Sequence, residues 1–231
     1  MKYYYFILVL LFSVTISVGQ TLESDRLALI DLYNATGGTY WYNNLNWSVS
    51  GNPGDSPCGW GGVTCNEEGT RVVKLLLPEN DMLGSIPPSI GNLTALTHLD
   101  LSGAGREFVN LTGSIPAEIG NLTNLEYLDL SGNAFTGNNV AVIGNLIKLK
   151  HLALTPDWEI PVEFGYLVNL EYLYLSVQDA SGLSQKGKAG LIPASFGNFT
   201  KLKTLDMHTA GLTGTIPASY SNLINLEFLD L

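Results

Sequence analysis

A frame of apolar residues that recurs along the chain is the feature that most constrains its fold. In the clearest copy, apolar residues occupy positions 1, 4, 6 and 11, an asparagine position 9 and a glycine position 13: Leu125, Leu128, Leu130, Phe135, Asn133 and Gly137. Side chains two residues apart on a strand point to the same face, so positions 4 and 6 contribute to one buried row. A single coil cannot bury that row alone, and neighbouring coils must therefore stack on one another.

The first position of the frame recurs with a basic spacing of 24 residues, at Val72, Leu96, Leu125, Leu149, Leu170, Leu202 and Leu226. Gly-x-Ile-Pro follows at Gly84, Gly113 and Gly214, and a Gly-Asn-Leu turn begins at Gly91, Gly120 and Gly144. A buried asparagine such as Asn133 can satisfy loop backbone groups that would otherwise lack a partner. The sequence thus predicts an α/β solenoid over residues 72–231, with about six coils and a truncated seventh.

Four departures from the frame fall between a strand and the following Ile-Pro. The second coil has five extra residues around Gly105–Asn110, and the fifth has eight around Ser181–Ala189. The fourth coil has Pro156–Trp158 where the asparagine turn is expected, and the third has Asn139–Val140 in place of Ile-Pro. Insertions in repeat proteins often map to a binding face. Variation in loop sequence and length without any function is an equally good explanation of these departures.

Residues 1–19 have the pattern of a cleaved secretory signal peptide. Lys2 supplies the positive end, residues 6–16 are mostly apolar, and small residues precede a cut before Gln20. The apolar stretch is shorter than the roughly 20 residues of a membrane-spanning helix, which favours cleavage over an uncleaved anchor. We therefore expect a secreted or cell-surface protein, attached to a membrane only if a span lies beyond residue 231.

Residues 20–71 are predicted to form an N-terminal cap. Ser24–Tyr33 is expected to be helical, with apolar residues near helical spacing at Leu27, Ile30 and Leu32, and the two glycines at 37 and 38 end it. Terminal repeats need an apolar cover. That role is expected for three aromatic residues of the following loops: Trp41, Trp47 and Trp60.

The chain has two cysteines, Cys58 and Cys65, which exclude a disulfide-dense scaffold and a four-cysteine zinc site. In a secreted chain, the pair is expected to form a disulfide. Its short loop corresponds to about 2.5 kcal/mol of chain entropy. A redox role would favour a closer pair, such as C-x-x-C.

The segment from Cys58 to Cys65 resembles the C-x-W-x-G-V-x-C end of the N-terminal cap of plant-type leucine-rich repeat proteins. Leu32–Gly38 and Asn43–Trp47 are more similar to the cap variant of protist and bacterial relatives. The Gly-x-Ile-Pro coils are similar to those of receptor-like kinases, receptor-like proteins and polygalacturonase-inhibiting proteins. The resemblance implies a right-handed superhelix with a parallel sheet on its concave side and a helical N-terminal cap.

Residues between the inward leucines are predicted to point to the concave face, where strands lie about 4.8 Å apart. Leu-Asp-Leu-Ser and Glu-Tyr-Leu are common in such repeats, so the aspartates and Tyr127 carry little information about a ligand. Less generic positions alternate imidazole and phenol groups, which suit mixed stacking and hydrogen bonding. The candidate ligand-binding residues are His98, Tyr127, His151, Tyr172, Tyr174 and His208.

Catalysis and cofactor binding are not expected. The histidines are possible general bases, but His98 and His151 lie two coils apart, roughly 10 Å, too far to share one metal. The chain has no Gly-x-Ser-x-Gly, His-Glu-x-x-His, P-loop or kinase motif set. A formal charge of −10 argues against nucleic acid as a partner.

Six Asn-x-Ser/Thr sequons make glycosylation an expectation for a eukaryotic secreted chain. They are Asn34, Asn46, Asn92, Asn110, Asn121 and Asn198. Several of them belong to the Gly-Asn-Leu-Thr turn, so part of their number reflects the repeat itself.

The leading hypothesis is a non-catalytic recognition module that binds an extracellular protein, peptide or oligosaccharide. One alternative is a fragment of a receptor-like kinase or receptor-like protein ectodomain. The frame stops at Leu229–Leu231 within a coil, and an uncovered end would expose core leucines. A second alternative is an inhibitor of secreted wall-degrading hydrolases. An ice-binding surface is less favoured, because the concave columns are chemically mixed.

Overall fold

A computed structural model describes residues 22–52, 54–104, 111–137, 139–176 and 190–231. The expected signal peptide, the sequon at Asn110 and the two insertions, around Gly105–Asn110 and Ser181–Ala189, lie outside these residues. The described chain begins in a helix, α1, over residues 22–35. The strands that follow are β1 (Val63–Cys65), β2 (Val72–Leu76), β3 (His98–Asp100), β4 (Thr112–Gly113), β5 (Tyr127–Asp129), β6 (Ala134–Phe135), β7 (His151–Ala153), β8 (Tyr172–Tyr174), β9 (Gly190–Leu191), β10 (Thr204–Asp206), β11 (Leu212–Thr213) and β12 (Phe228–Asp230).

One sheet runs through the whole described chain in the order β1-β2-β3-β5-β7-β8-β10-β12. β1 pairs antiparallel with β2, and every later pair in this sheet is parallel. Shorter parallel pairs, β4–β6 and β9–β11, lie on the returning part of the coils. This arrangement confirms the predicted leucine-rich repeat solenoid with a parallel sheet.

Short 3-10 helices form the opposite side of the coils. They occupy Gly38–Tyr40 in the cap and then Pro88–Asn92, Ala117–Asn121, Asn139–Asn145, Val162–Tyr166, Ala194–Asn198 and Ala218–Asn222. Most of these helices directly follow a proline in an extended conformation, as at Pro87 and Pro116. Proline is compatible with a helix start because its missing N–H would have no partner there. None of the helices in the described residues combines the length and apolar character needed to cross a membrane.

The apolar rows form one continuous core that includes the cap and the coils. The buried asparagine of the frame behaves as predicted. Asn133 Nδ2 donates to the carbonyl oxygens of Leu101 (2.8 Å) and Leu130 (3.1 Å), and its Oδ1 accepts the N–H of Leu111 at 3.0 Å. One side chain therefore joins the turn of its own coil to the coil before it. The irregular coils keep the core filled with other residues, since Trp158 and Val140 are both buried.

The cap packs as predicted around its aromatic residues. Trp41 and Trp47 meet edge to face with centroids 4.9 Å apart, and Trp60 lies 4.9 Å from Trp47. The Cys58–Cys65 disulfide is present, with Cα atoms 5.6 Å apart. Asn80, the first asparagine of the frame, both accepts from and donates to the backbone of Asn43. The cap is thus joined to the first coil by polar as well as apolar contacts.

The buried face of α1 differs from the one expected. Leu27 is 50% exposed, and the helix instead buries Ala28, Leu29, Leu32 and Tyr33. Asp25, in the first turn of the helix, is fully buried. The apolar pattern alone is misleading here because a carboxylate occupies the inward face.

Asp25 is an anchor between α1 and the first coil. Its carboxylate accepts from Arg71 Nε at 3.0 Å and from the N–H of Val72, the first residue of β2, at 2.9 Å. Arg71 also donates to Thr94 Oγ1 in the next coil, at 2.9 Å. A buried charge is tolerated only when it is paired and hydrogen-bonded. Asp25 meets that condition through two groups that are distant from it in sequence.

Replacing Asp25 with asparagine should therefore lower the free energy of unfolding by about 1.5–3 kcal/mol, because the Arg71 guanidinium and the Val72 N–H lose their anionic partner. Urea denaturation measures this loss. Glu126→Gln is the matched control, since the Glu126–Lys150 ion pair is exposed and such pairs contribute little. An unfolding midpoint equal to the wild-type value for Asp25→Asn would contradict the proposed anchor.

Candidate functional site

The parallel register aligns the candidate residues in columns across the concave sheet. One column contains Lys74, His98, Tyr127, His151, Tyr172, Thr204 and Phe228. The neighbouring column contains Leu76, Asp100, Asp129, Ala153, Tyr174, Asp206 and Asp230. Each position pairs with its equivalent on the next strand, so the frame of the sequence determines which side chains meet.

Five of the six candidate residues come together as a ladder of rings. The ring of Tyr127 stacks between His98, at a centroid distance of 5.9 Å, and His151, at 4.2 Å, with interplanar angles of 13° and 16°. His151 in turn meets Tyr174 at 5.4 Å and Tyr172 at 6.1 Å in tilted arrangements. We refer to these five residues as the ring ladder. His208 is not part of it.

Carboxylates border the ring ladder on one side and are held in place by serines. Asp100 Oδ1 accepts from the N–H and hydroxyl of Ser102, at 3.0 and 2.7 Å. Asp129 Oδ1 accepts from Ser131 in the same way, at 2.9 and 2.6 Å. The Tyr127 hydroxyl lies 3.5 Å from the other oxygen of Asp129. The repeated Asp-x-Ser brace fixes the carboxylates beside the ladder and leaves one oxygen of each largely available.

A row of alternating charges borders the other side, and the sequence analysis did not single it out. Lys150 pairs with Glu126 and Lys203 with Glu171, each at 2.6 Å and each across adjacent coils. Lys203 Nζ also lies 5.7 Å from the centroid of the Tyr172 ring, within cation–π range. This row could have been predicted from the sequence. The residue directly after the first frame position alternates between Glu and Lys in successive coils from the third coil onward.

Burial favours the neutral forms of three ring-ladder residues, His98, Tyr127 and His151. It lowers the pKa of His151, although the nearby Asp129 carboxylate acts in the opposite direction. Burial and the Lys74 charge lower the pKa of His98. Burial also raises the pKa of Tyr127 to about 12. The ladder therefore offers neutral imidazoles and phenols that can both donate and accept hydrogen bonds.

The five sequons within the described residues, those at Asn34, Asn46, Asn92, Asn121 and Asn198, have exposed asparagines. Asn92, Asn121 and Asn198 each end a 3-10 helix on the side opposite the sheet. Glycans at those three positions would leave the ring ladder open. Their attachment stays a prediction.

The chain matches two family models. Residues 22–66 match the leucine rich repeat N-terminal domain, and residues 124–146 match the leucine rich repeat itself. These matches confirm the resemblance that the cap cysteines and the Gly-x-Ile-Pro coils suggested.

Individual relatives are plant receptor proteins. A probable inactive receptor kinase of Arabidopsis thaliana, At1g48480, is 40% identical over 97 residues, which are 42% of this chain and 13% of that protein. The Arabidopsis receptor kinase HAESA ectodomain, solved with an extended IDA peptide hormone ligand, is 27% identical with a TM-score of 0.68. That match covers 91% of this chain and 33% of the solved one. A plant ice-binding protein at 24% identity and a TM-score of 0.57, with 90% of this chain and 78% of that one covered, shares the fold alone.

The lowered imidazole pKa values predict a loss of stability on acidification. Near pH 6.5, the usual pKa of histidine, the unfolded chain takes up protons that the folded ladder does not. The folded state therefore becomes less stable as the pH falls. The loss begins around pH 7 and is complete once the pH is below the lowered pKa values. A His98→Gln/His151→Gln variant should lose less stability than the wild type in urea denaturation between about pH 7.5 and 5. Equal losses in both proteins would contradict the assignment of this effect to the ladder.

Proposed function

We propose that this chain is a non-catalytic recognition module of the secreted or cell-surface type, and that its ring ladder binds an extracellular peptide or protein segment. The observation that carries the proposal is the continuous row of His98, Tyr127, His151 and Tyr172, aligned by strand register along the sheet, with Tyr174 beside it in the neighbouring column. A row that advances by about 4.8 Å per strand fits an elongated ligand lying along the solenoid. Neutral groups with both donor and acceptor capacity suit the amide groups of a peptide backbone.

The ring geometry favours a peptide over an oligosaccharide. Sugars bind to aromatic residues mainly by lying against an exposed ring face, whereas both faces of the Tyr127 ring are directed toward imidazoles. At Tyr127, what remains for a ligand is the ring edge with its hydroxyl, beside the imidazole nitrogens of His98 and His151. This part of the ladder forms directional hydrogen bonds and provides little flat apolar surface.

The comparisons support placing the chain in a receptor context. Its relatives include receptor kinases, and the HAESA ectodomain was solved with a peptide hormone ligand. The chain covers only a small part of those proteins. A kinase activity or a membrane span would therefore be a separate proposal about a longer protein that contains this chain. Sequencing the transcript through its 3′ end tests this receptor interpretation: additional coils followed by an apolar span would support it, and a stop codon directly after Leu231 would contradict it.

A non-catalytic role is also supported by the contacts of the concave side chains. The carboxylates are braced by Ser102 and Ser131 in a repeated structural motif. The Thr97 hydroxyl lies 2.9 Å from His98 Nδ1, but it donates to the carbonyl oxygen of Val73 at 3.0 Å, so it makes a backbone contact and is not an activated nucleophile. His151 stacks on the Tyr127 ring, where its ring nitrogens can form hydrogen bonds with a ligand. We therefore assign the histidines to binding.

The proposal can be tested by panning a random-peptide phage library on the immobilised protein and screening a glycan array in parallel. Enriched peptides should bind a His151→Ala/Tyr172→Ala variant at least about tenfold more weakly, since central aromatic residues dominate binding at interfaces. Tyr166→Ala is the matched control, because Tyr166 is an exposed aromatic residue on the helical side of the coils. Its peptide affinity should equal that of the wild type.

Two outcomes would contradict the ring-ladder proposal. One is equal binding of the enriched peptides to the double variant, provided that circular dichroism shows it to be folded. The other is enrichment of glycans with no enrichment of peptides.

A further inference from the structure

The second concave cluster lies on β10 and β12, apart from the ring ladder. Asp206 ends β10, His208 follows two residues later, and Asp230 ends β12 beside Asp206 in the register. One ligand-type atom from each of the three side chains can be chosen so that all lie within 4.8 Å of one another. Among the described residues, this is the only group of three or more His, Cys, Asp or Glu side chains with that property.

Comparison with the equivalent coils shows what is unusual about this cluster. In the coils of β3 and β5, the aspartate is braced by the hydroxyl of a serine two residues later. In the coil of β10, His208 takes the place of that serine: its N–H donates to Asp206 Oδ1 at 3.2 Å and its Nδ1 lies 2.6 Å from the same oxygen. The brace itself needs only a hydroxyl. Histidine adds a nitrogen ligand to a pair of carboxylates.

The charges around the cluster are not balanced by a basic side chain. In the part of the chain that the structure describes, His208 is the only residue in an ion pair with Asp206, and Asp230 has none. Lys203, the residue before β10, is held by Glu171. Two carboxylates on adjacent strands repel one another, and a bound cation would remove that repulsion.

We propose that Asp206, His208 and Asp230 together bind one divalent transition-metal ion, of which Zn²⁺ is the best fit. Two carboxylate oxygens and one imidazole nitrogen are ligands that Zn²⁺ accepts in tetrahedral sites, with a water or a ligand group in the fourth position. Ca²⁺ and Mg²⁺ prefer oxygen ligands alone, so the imidazole selects against them. The ion takes the place of the hydrogen bond between His208 Nδ1 and Asp206 Oδ1, and the metal-bound imidazole then carries its proton on Nε2. A small rotation of the partly exposed His208 side chain opens the room required.

The first test is isothermal titration of tag-free, metal-stripped protein with ZnCl₂, and separately with CaCl₂. We expect one Zn²⁺ per chain and no comparable binding of Ca²⁺. Titration with Co²⁺ gives a spectroscopic readout, because tetrahedral coordination produces intense visible absorption. Absence of saturable Zn²⁺ binding, or Ca²⁺ binding of equal strength, would overturn the proposal.

Matched variants locate the site. His208→Ser restores the Asp-x-Ser brace of the other coils, so it should fold normally while Zn²⁺ affinity falls more than about tenfold. Asp230→Asn should have a similar effect, because it removes a ligand from the last described strand. Asp100→Asn changes the same carboxylate column in a coil where the carboxylate is held by Ser102 and not by a histidine, and it should leave Zn²⁺ affinity unchanged. Unchanged affinity in His208→Ser would refute the site, and its result is independent of peptide binding at the ring ladder.

Discussion

Every coil of this chain depends on its neighbours to bury its apolar row, and the rest of the structure follows from that dependence. Leu99, Leu128, Leu152 and Leu173 are fully buried because identical positions lie on both sides of each of them. In the last described strand, which has a neighbour on one side only, the equivalent Leu229 is 44% exposed. Polar groups obey the same rule: Asn133 satisfies the backbone of two successive coils, and Asp25 satisfies β2 from the cap. Burial in a solenoid is a property of pairs of coils, so the stability of each coil depends on the coils beside it.

This stacking also determines where chemistry can occur. Once the leucines are in register, the residues between them must line up as well, because the strand period is two. The frame therefore turns a scattered set of histidines and tyrosines into a contiguous row. His98 and Tyr127 are 29 residues apart in sequence, yet their rings stack. The same logic explains the alternating Glu–Lys rim, whose ion pairs connect successive coils and hold long side chains beside the ladder.

Most of the fold was predictable from the sequence because it rests on periodic positions. The apolar rows, the concave columns, the Asn133 turn, the tryptophan cap and the Cys58–Cys65 disulfide all follow from spacing and residue type. The errors occur where a single contact overrides the pattern. Leu27 looked like a core residue and is exposed, because the inward face of α1 is set by the contact of Asp25 with Arg71. No local signal reveals that contact, since its partners are 46 residues apart. For the site, the columns were predictable, whereas the orientation of the rings and the separation of His208 from them depend on side-chain packing.

The polar border of the ring ladder places a further condition on any ligand. Asp100 and Asp129 each commit one oxygen to a serine brace, and the remaining oxygens can only accept hydrogen bonds. The ladder beside them is neutral because burial lowers the pKa of both imidazoles. The lysines on the opposite rim are engaged by Glu126 and Glu171. The surface thus has surplus acceptors and negative charge, in line with the formal charge of −10 for the whole chain. A complementary partner must supply donors or positive charge on that side, which a peptide with a basic residue or a free amino terminus does and an acidic one does not.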